Sequence, residues 1–128
     1  MALNELTGVT GSMIKLALDA ASLRHLVIAS NIANANTPGY VPVRVEFEEH
    51  LAAAARNSAY GAYGAGLSRS VAPEVVPDLQ GFDPLQPRVQ LDVEAAQLAQ
   101  NTLQYQALLR GLRGRLDMLQ MAIGEGRG

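Results

Sequence analysis

Cysteine does not occur in the 128 residues, so disulfides and thiolate chemistry are excluded. That absence suits a cytosolic protein and a protein exported without oxidative folding equally. A basic segment followed by an uninterrupted apolar stretch is also missing at the start: the first charge is Glu5, and Lys15 and Asp19 break up the early apolar residues. No secretory signal is therefore expected. No apolar run approaches the ~20 residues that a bilayer crossing needs, which leaves a soluble chain or one exported by another route. Charge of one sign is equally scarce. The net charge of −2 is spread as four basic and five acidic residues in the first half and six and seven in the second, so no basic stripe points to nucleic acid.

Chemistry is thin as well. Glycine-rich phosphate loops and nucleophile elbows are missing, and the titratable residues that could converge are His25, His50, Glu46, Glu48 and Glu49. The run Glu46-Phe47-Glu48-Glu49-His50 could be read as a metal site, but its spacing matches none of the usual zinc or calcium patterns. The other reading is a solvated acidic run. No catalytic residue, cofactor or metal is expected.

What the chain does have is two helical seams. Leu91, Ala95, Leu98, Thr102, Tyr105, Leu109, Leu112, Leu116, Leu119 and Ile123 recur at alternating steps of four and three, and nine of the ten are apolar. Such a heptad run marks a helix packed lengthwise on another helix. Near the other end Ile14, Leu18, Ala21, His25, Ile28, Ile32 and Ala35 follow the same spacing, from Ser12 as a possible N-cap to about Asn36. Met13, Leu16, Ala17, Leu23, Leu26 and Val27 lie off this seam, so the helix is apolar on most of its circumference and wants neighbours on several sides. His25 sits on the seam, where a polar residue sets register or packs in the core; a pH switch is the other reading. Gly111 and Gly114 each cost ~1 kcal/mol against alanine inside a helix, which close approach by another helix would offset.

Between the seams the pattern changes. Pro38-Gly39 fits the central positions of a type II turn and ends the first helix. Val41, Val43, Val45 and Phe47 alternate with polar residues and Pro42, giving a short extended segment limited to a sheet edge or a non-sheet arm. Glu48 to Arg56 has the composition for two helical turns. From Arg56 to Arg88 four prolines and four glycines predict little regular structure. That stretch is either a flexible linker or a segment that orders when neighbours contact Tyr60, Tyr63 and Phe82. The expected organisation is an N-terminal segment over 1–11, a helix over 12–36, a turn, arm and irregular middle over 37–89, a second helix over 90–123, and a tail over 124–128. The fold class is mainly α. Because both long helices enter the same middle, an antiparallel, coiled-coil-like pair around an irregular glycine- and proline-rich segment is expected.

The twelve residues Ala29-Ser30-Asn31-Ile32-Ala33-Asn34-Ala35-Asn36-Thr37-Pro38-Gly39-Tyr40 resemble the N-terminal motif of bacterial flagellar axial proteins, the rod, hook and hook-associated subunits. The stretch Leu98-Ala99-Gln100-Asn101-Thr102-Leu103-Gln104-Tyr105-Gln106-Ala107-Leu108-Leu109 is similar to the C-terminal end of proximal rod proteins of the FlgB type. The sister FlgC type fits that end less well. Two departures fall in the middle: Val45-Glu46-Phe47 stands where the family has an aspartate-rich stretch before phenylalanine, and Leu85-Gln86-Pro87-Arg88-Val89 replaces a Gly-Asn-Thr-Val approach to the last helix.

The resemblance implies a non-catalytic subunit, exported by the flagellar type III apparatus without a cleaved signal and polymerised into the rod that spans the periplasm. Its implied partners are further copies of itself, rod proteins of the FlgC, FlgF and FlgG types, a FliE-type rod-ring junction protein and the membrane ring. The expected assembly interface comprises Ile14, Leu18, His25, Ile28, Asn31, Ile32, Asn34, Asn36, Tyr40, Leu98, Tyr105, Leu109, Leu112, Leu116, Leu119 and Ile123. For Asn31, Asn34 and Asn36 two readings stand together: they satisfy the helix end locally, or their amides bond adjacent subunits. The competing function is an adaptor or secretion partner built on an α-hairpin.

Overall fold

A computed structural model describes residues 2–57, 71–79 and 89–125. Helix α1 spans Ala2–Ala33, strand β1 Val43–Glu46, helix α2 Glu48–Asn57, strand β2 Glu74–Pro77 and helix α3 Leu91–Glu125. The protein is mainly helical, with one long helix towards each end of the chain. None of these helices is long and apolar enough to cross a membrane.

Helix α1 begins ten residues earlier than Ser12, because nothing between Ala2 and Ser12 forbids helix: there is no proline, and Gly8 and Gly11 weaken it without breaking it. Of the segment read as 1–11, residues 2–11 are thus the first third of the helix. Its other end is set by local chemistry. The backbone N–H of Asn34 still reaches Ser30 (3.0 Å), that of Ala35 tightens to Ile32 (3.2 Å), and that of Tyr40 closes a turn on Thr37 (3.2 Å) with Gly39 at φ +76°. This is the expected Pro38-Gly39 turn, glycine taking the left-handed conformation that a side chain would strain.

The extended arm is a strand, and its partner comes from the stretch expected to lack regular structure. β1 and β2 pair antiparallel, with Val43 opposite Pro77, Arg44 opposite Val76, Val45 opposite Val75 and Glu46 opposite Glu74. The N–H of Asp78 extends the ladder to the carbonyl of Pro42 (2.8 Å). Prolines at both ends are tolerated because each strand is an edge. A two-stranded ribbon alone is marginal in water; this one holds by laying Val45 and Phe47 on α1. Together with Ala20, Val27 and the fully buried Val71 they form the core, flanked by Leu16, Leu23 and Leu51. Composition hid β2 because Pro73 and Pro77 bracket a strand of only four residues. Tyr60, Tyr63 and Phe82 lie outside the described residues.

Two different partners therefore cover α1. One side packs on β1, α2 and Val71, and another packs on α3. The need for several neighbours, read from its all-round apolar surface, is met partly by the middle segment and not by a second helix alone.

Gly111 and Gly114 are not approached within the described part of the chain. A Cβ built at either meets nothing within 4 Å, so among the described residues no other helix approaches them closely. Gly111→Ala and Gly114→Ala should each stabilise the isolated subunit by up to ~1 kcal/mol through helix propensity. Thermal unfolding followed by circular dichroism checks this; a fall in melting temperature would show that the free chain itself needs glycine there.

Candidate functional site

The axial motif organises a junction of three elements around Asn31, which is 1% exposed. Its Nδ2 donates to the carbonyl of Val43 (2.8 Å) and, at 3.3 Å, to the carboxylate of Glu94. Its Oδ1 accepts from the Val43 N–H (3.0 Å) and from the Tyr40 hydroxyl (2.8 Å). An amide offers two donor hydrogens and two acceptor lone pairs, and all four are used. The side chain thus pairs with Val43 as a neighbouring strand would, tying α1 to the start of β1, while Glu94 ties in the first turn of α3. Ser30 Oγ and Tyr40 share a 3.3 Å hydrogen bond beside it.

The other two asparagines do different work. Asn34 donates from Nδ2 to the Ser30 carbonyl (2.9 Å) and accepts from Thr37 Oγ1 (3.2 Å), which is local capping of the helix end. Asn36 is exposed. The helix-end reading describes Asn34, whereas Asn31 bonds Val43 and Glu94, further along the chain.

A buried carboxylate at this junction has a pH consequence. Burial holds the Glu94 carboxyl above its ordinary range; the Asn31 hydrogen bonds oppose that rise and the nearby charge of Asp78 adds to it. A carboxylate raised in the folded state binds its proton more tightly folded than unfolded, so its contribution to stability falls as pH rises through the folded pKa and recovers on acidification. Glu94→Gln keeps an acceptor for Asn31 without the charge. It should raise the melting temperature at pH 7 by on the order of a few degrees and shrink the gain seen on lowering the pH. Melting curves of both proteins across the acid range decide it; parallel pH profiles would remove Glu94 as their cause.

Further along α3, Asn101 is 3% exposed and donates to the Ala21 carbonyl at 2.8 Å, while its Oδ1 has no partner among the described residues. It floors a shallow groove whose walls include His25, Leu26, Thr102 and Tyr105. One turn on from Ala21, Arg24 bonds both oxygens of Glu48 (2.8 and 3.1 Å), fixing the N-terminus of α2 where acidic side chains complement the helix dipole.

The seams need rephasing. In α3 the covered positions are Glu94, Leu98, Asn101, Leu108, Leu112, Arg115 and Leu119, also at steps of three, four and seven. The sequence seam shares Leu98, Leu112 and Leu119 with this set. Its other large members stay outside: Leu91 (50% exposed), Tyr105, Leu109, Leu116 (50%) and Ile123 (60%). In α1 Ala21 and Ile28 are buried, Ile14, Leu18 and Ile32 are half-buried, and His25 is exposed rather than enclosed in the seam. The apolar stripe of α3 is wider than one helix covers, and a periodicity cannot tell which flank faces its own chain. Exposed apolar residues in a continuous line on a helix mark a surface that another protein covers.

Residues 16–40 match the model of the family described as flagella basal body rod protein. Over 125 residues the chain is 32% identical to the flagellar basal body rod protein FlgB of Cereibacter sphaeroides, covering 90% of this chain and 98% of that protein. It is 29% identical to the FlgB proteins of Escherichia coli K12, over 86% of this chain and 89% of that one, and of Aeromonas hydrophila, over 84% and 86%.

Proposed function

This chain belongs to the flagellar basal body rod protein family, and from that premise we propose how it builds its part of the rod. It is a structural subunit of the FlgB, proximal-rod type. The alignment with FlgB from Cereibacter sphaeroides over nearly that protein's whole length carries this reading. The relatives are structural proteins, and the role of this chain rests on packing.

In the proposed assembly α1 and α3 run antiparallel. Two contacts support this: residue 31 meets residue 94, whereas residue 101 meets residue 21, so one helix is traversed backwards as the other goes forwards. The outer flank of α3, from Leu91 through Leu109 and Leu116 to Ile123, together with the exposed Leu26 of α1, packs against neighbouring subunits. A two-helix unit with a covered inner face and an apolar outer flank stacks into a helical tube and transmits torque as part of a drive shaft. Its neighbours are copies of itself, rod proteins of the FlgC, FlgF and FlgG types, and a FliE-type junction protein at the membrane ring. The type III export apparatus delivers it to the periplasm without cleavage.

Deleting the gene in its source bacterium should abolish motility and leave basal bodies without a rod, and an intact copy should restore both. Mass spectrometry of purified basal bodies should find the chain there. Normal rods in the deletion strain would refute the assignment.

A further inference from the structure

The register of the small sheet sets two carboxylates against each other. Glu46 on β1 stands directly opposite Glu74 on β2, and like charges in that position destabilise a strand pair unless a cation lies between them. The first turn of α2 brings His50 to the same place: its Nε2 is 3.7 Å from Glu46 Oε2 and 3.8 Å from Glu74 Oε2. One ligand atom from each of the three residues falls within 4.8 Å of the others. The remaining Glu46 oxygen, Oε1, is held by the Arg44 guanidinium at 2.9 Å, which orients the carboxylate from outside as outer-shell partners do at metal centres.

The geometry points to a divalent metal site formed by Glu46, His50 and Glu74, of the zinc class. One imidazole and two carboxylates are a borderline donor set suited to such an ion. Bonds of about 2.0–2.1 Å in a tetrahedron place ligand atoms about 3.4 Å apart. The imidazole already stands near that distance from both carboxylates, and Glu74, the most exposed of the three, closes the remainder by side-chain rotation. A fourth position is left to water. The ion would neutralise the opposed carboxylates and staple β2 to β1 and to the start of α2, adding to the four-residue ladder and the core contacts of Val45.

The test uses the full chain without an affinity tag, stripped with a chelator and titrated with zinc and with cobalt as a spectroscopic probe. Zinc should bind at one ion per chain. His50→Ala and Glu74→Gln should weaken it about tenfold or more, whereas Glu49→Gln, one residue from the site, should not. Because the sequence holds only two histidines, imidazole resonances give a readout in the unmutated protein: zinc should shift those of His50 and leave those of His25 in place. Absence of stoichiometric binding, binding that survives His50→Ala, equal loss in Glu49→Gln, or shifts confined to His25 would each overturn the site.

Discussion

Asn31→Ala is expected to lower the melting temperature of the subunit by more than about 10 °C and to abolish motility. The substitution removes one side chain but takes the partner from three groups, the N–H and carbonyl of Val43 and the Glu94 carboxylate, while the Tyr40 hydroxyl keeps Ser30. An unpaired buried polar group costs ~1–3 kcal/mol, so the sum reaches several kcal/mol out of a typical total of about 5–15. At roughly 3–5 °C per kcal/mol for a chain of this size, the fall is unmistakable. Asn34→Ala removes only a local cap and should cost about 1 kcal/mol or less. Circular dichroism melts of the two variants side by side provide the check. Equal, small shifts would mean that the junction around Asn31 does not hold the three elements together.

The second large effect separates folding from assembly. Ile28 is 3% exposed beside α3, so Ile28→Asp buries an unpaired charge inside the subunit and should cost several kcal/mol, enough to deplete folded protein. Leu116 is half exposed on the outer flank of α3. Leu116→Asp should therefore leave helicity and melting temperature of the free chain within about 0.5 kcal/mol of the original, yet abolish rod formation and swimming, because in the polymer that charge would be enclosed by a neighbour. Export is measured alongside; a subunit exported normally but absent from basal bodies places the fault in packing between subunits. Glu49→Ala, exposed at the start of α2, serves as the silent control. A motile Leu116→Asp strain would show that this flank of α3 faces solvent in the rod.

The chain's covalent order is enough to place the C-terminal helix, the end of α1 and the turn between α1 and β1, since these depend on neighbours a few residues apart. Heptad spacing with no proline makes helix from Leu91 to Glu125, and Pro38-Gly39 ends the first helix without help from elsewhere. The twelve-residue motif around Asn31 was likewise legible as the distinctive part of the sequence, although its spacing says nothing of whom Asn31 bonds. Partners far apart in the chain had to be supplied by the fold. Asn31 meets a carboxylate 63 residues away, and Glu74 reaches Glu46 and His50 only through a four-residue strand whose prolines disguise it. The same holds for the seams: an apolar stripe records which side chains avoid water, but hydrophobic burial is not directional. Which flank of α3 rests on α1, and which stays exposed, was decided by where Asn101 meets Ala21 and Glu94 meets Asn31.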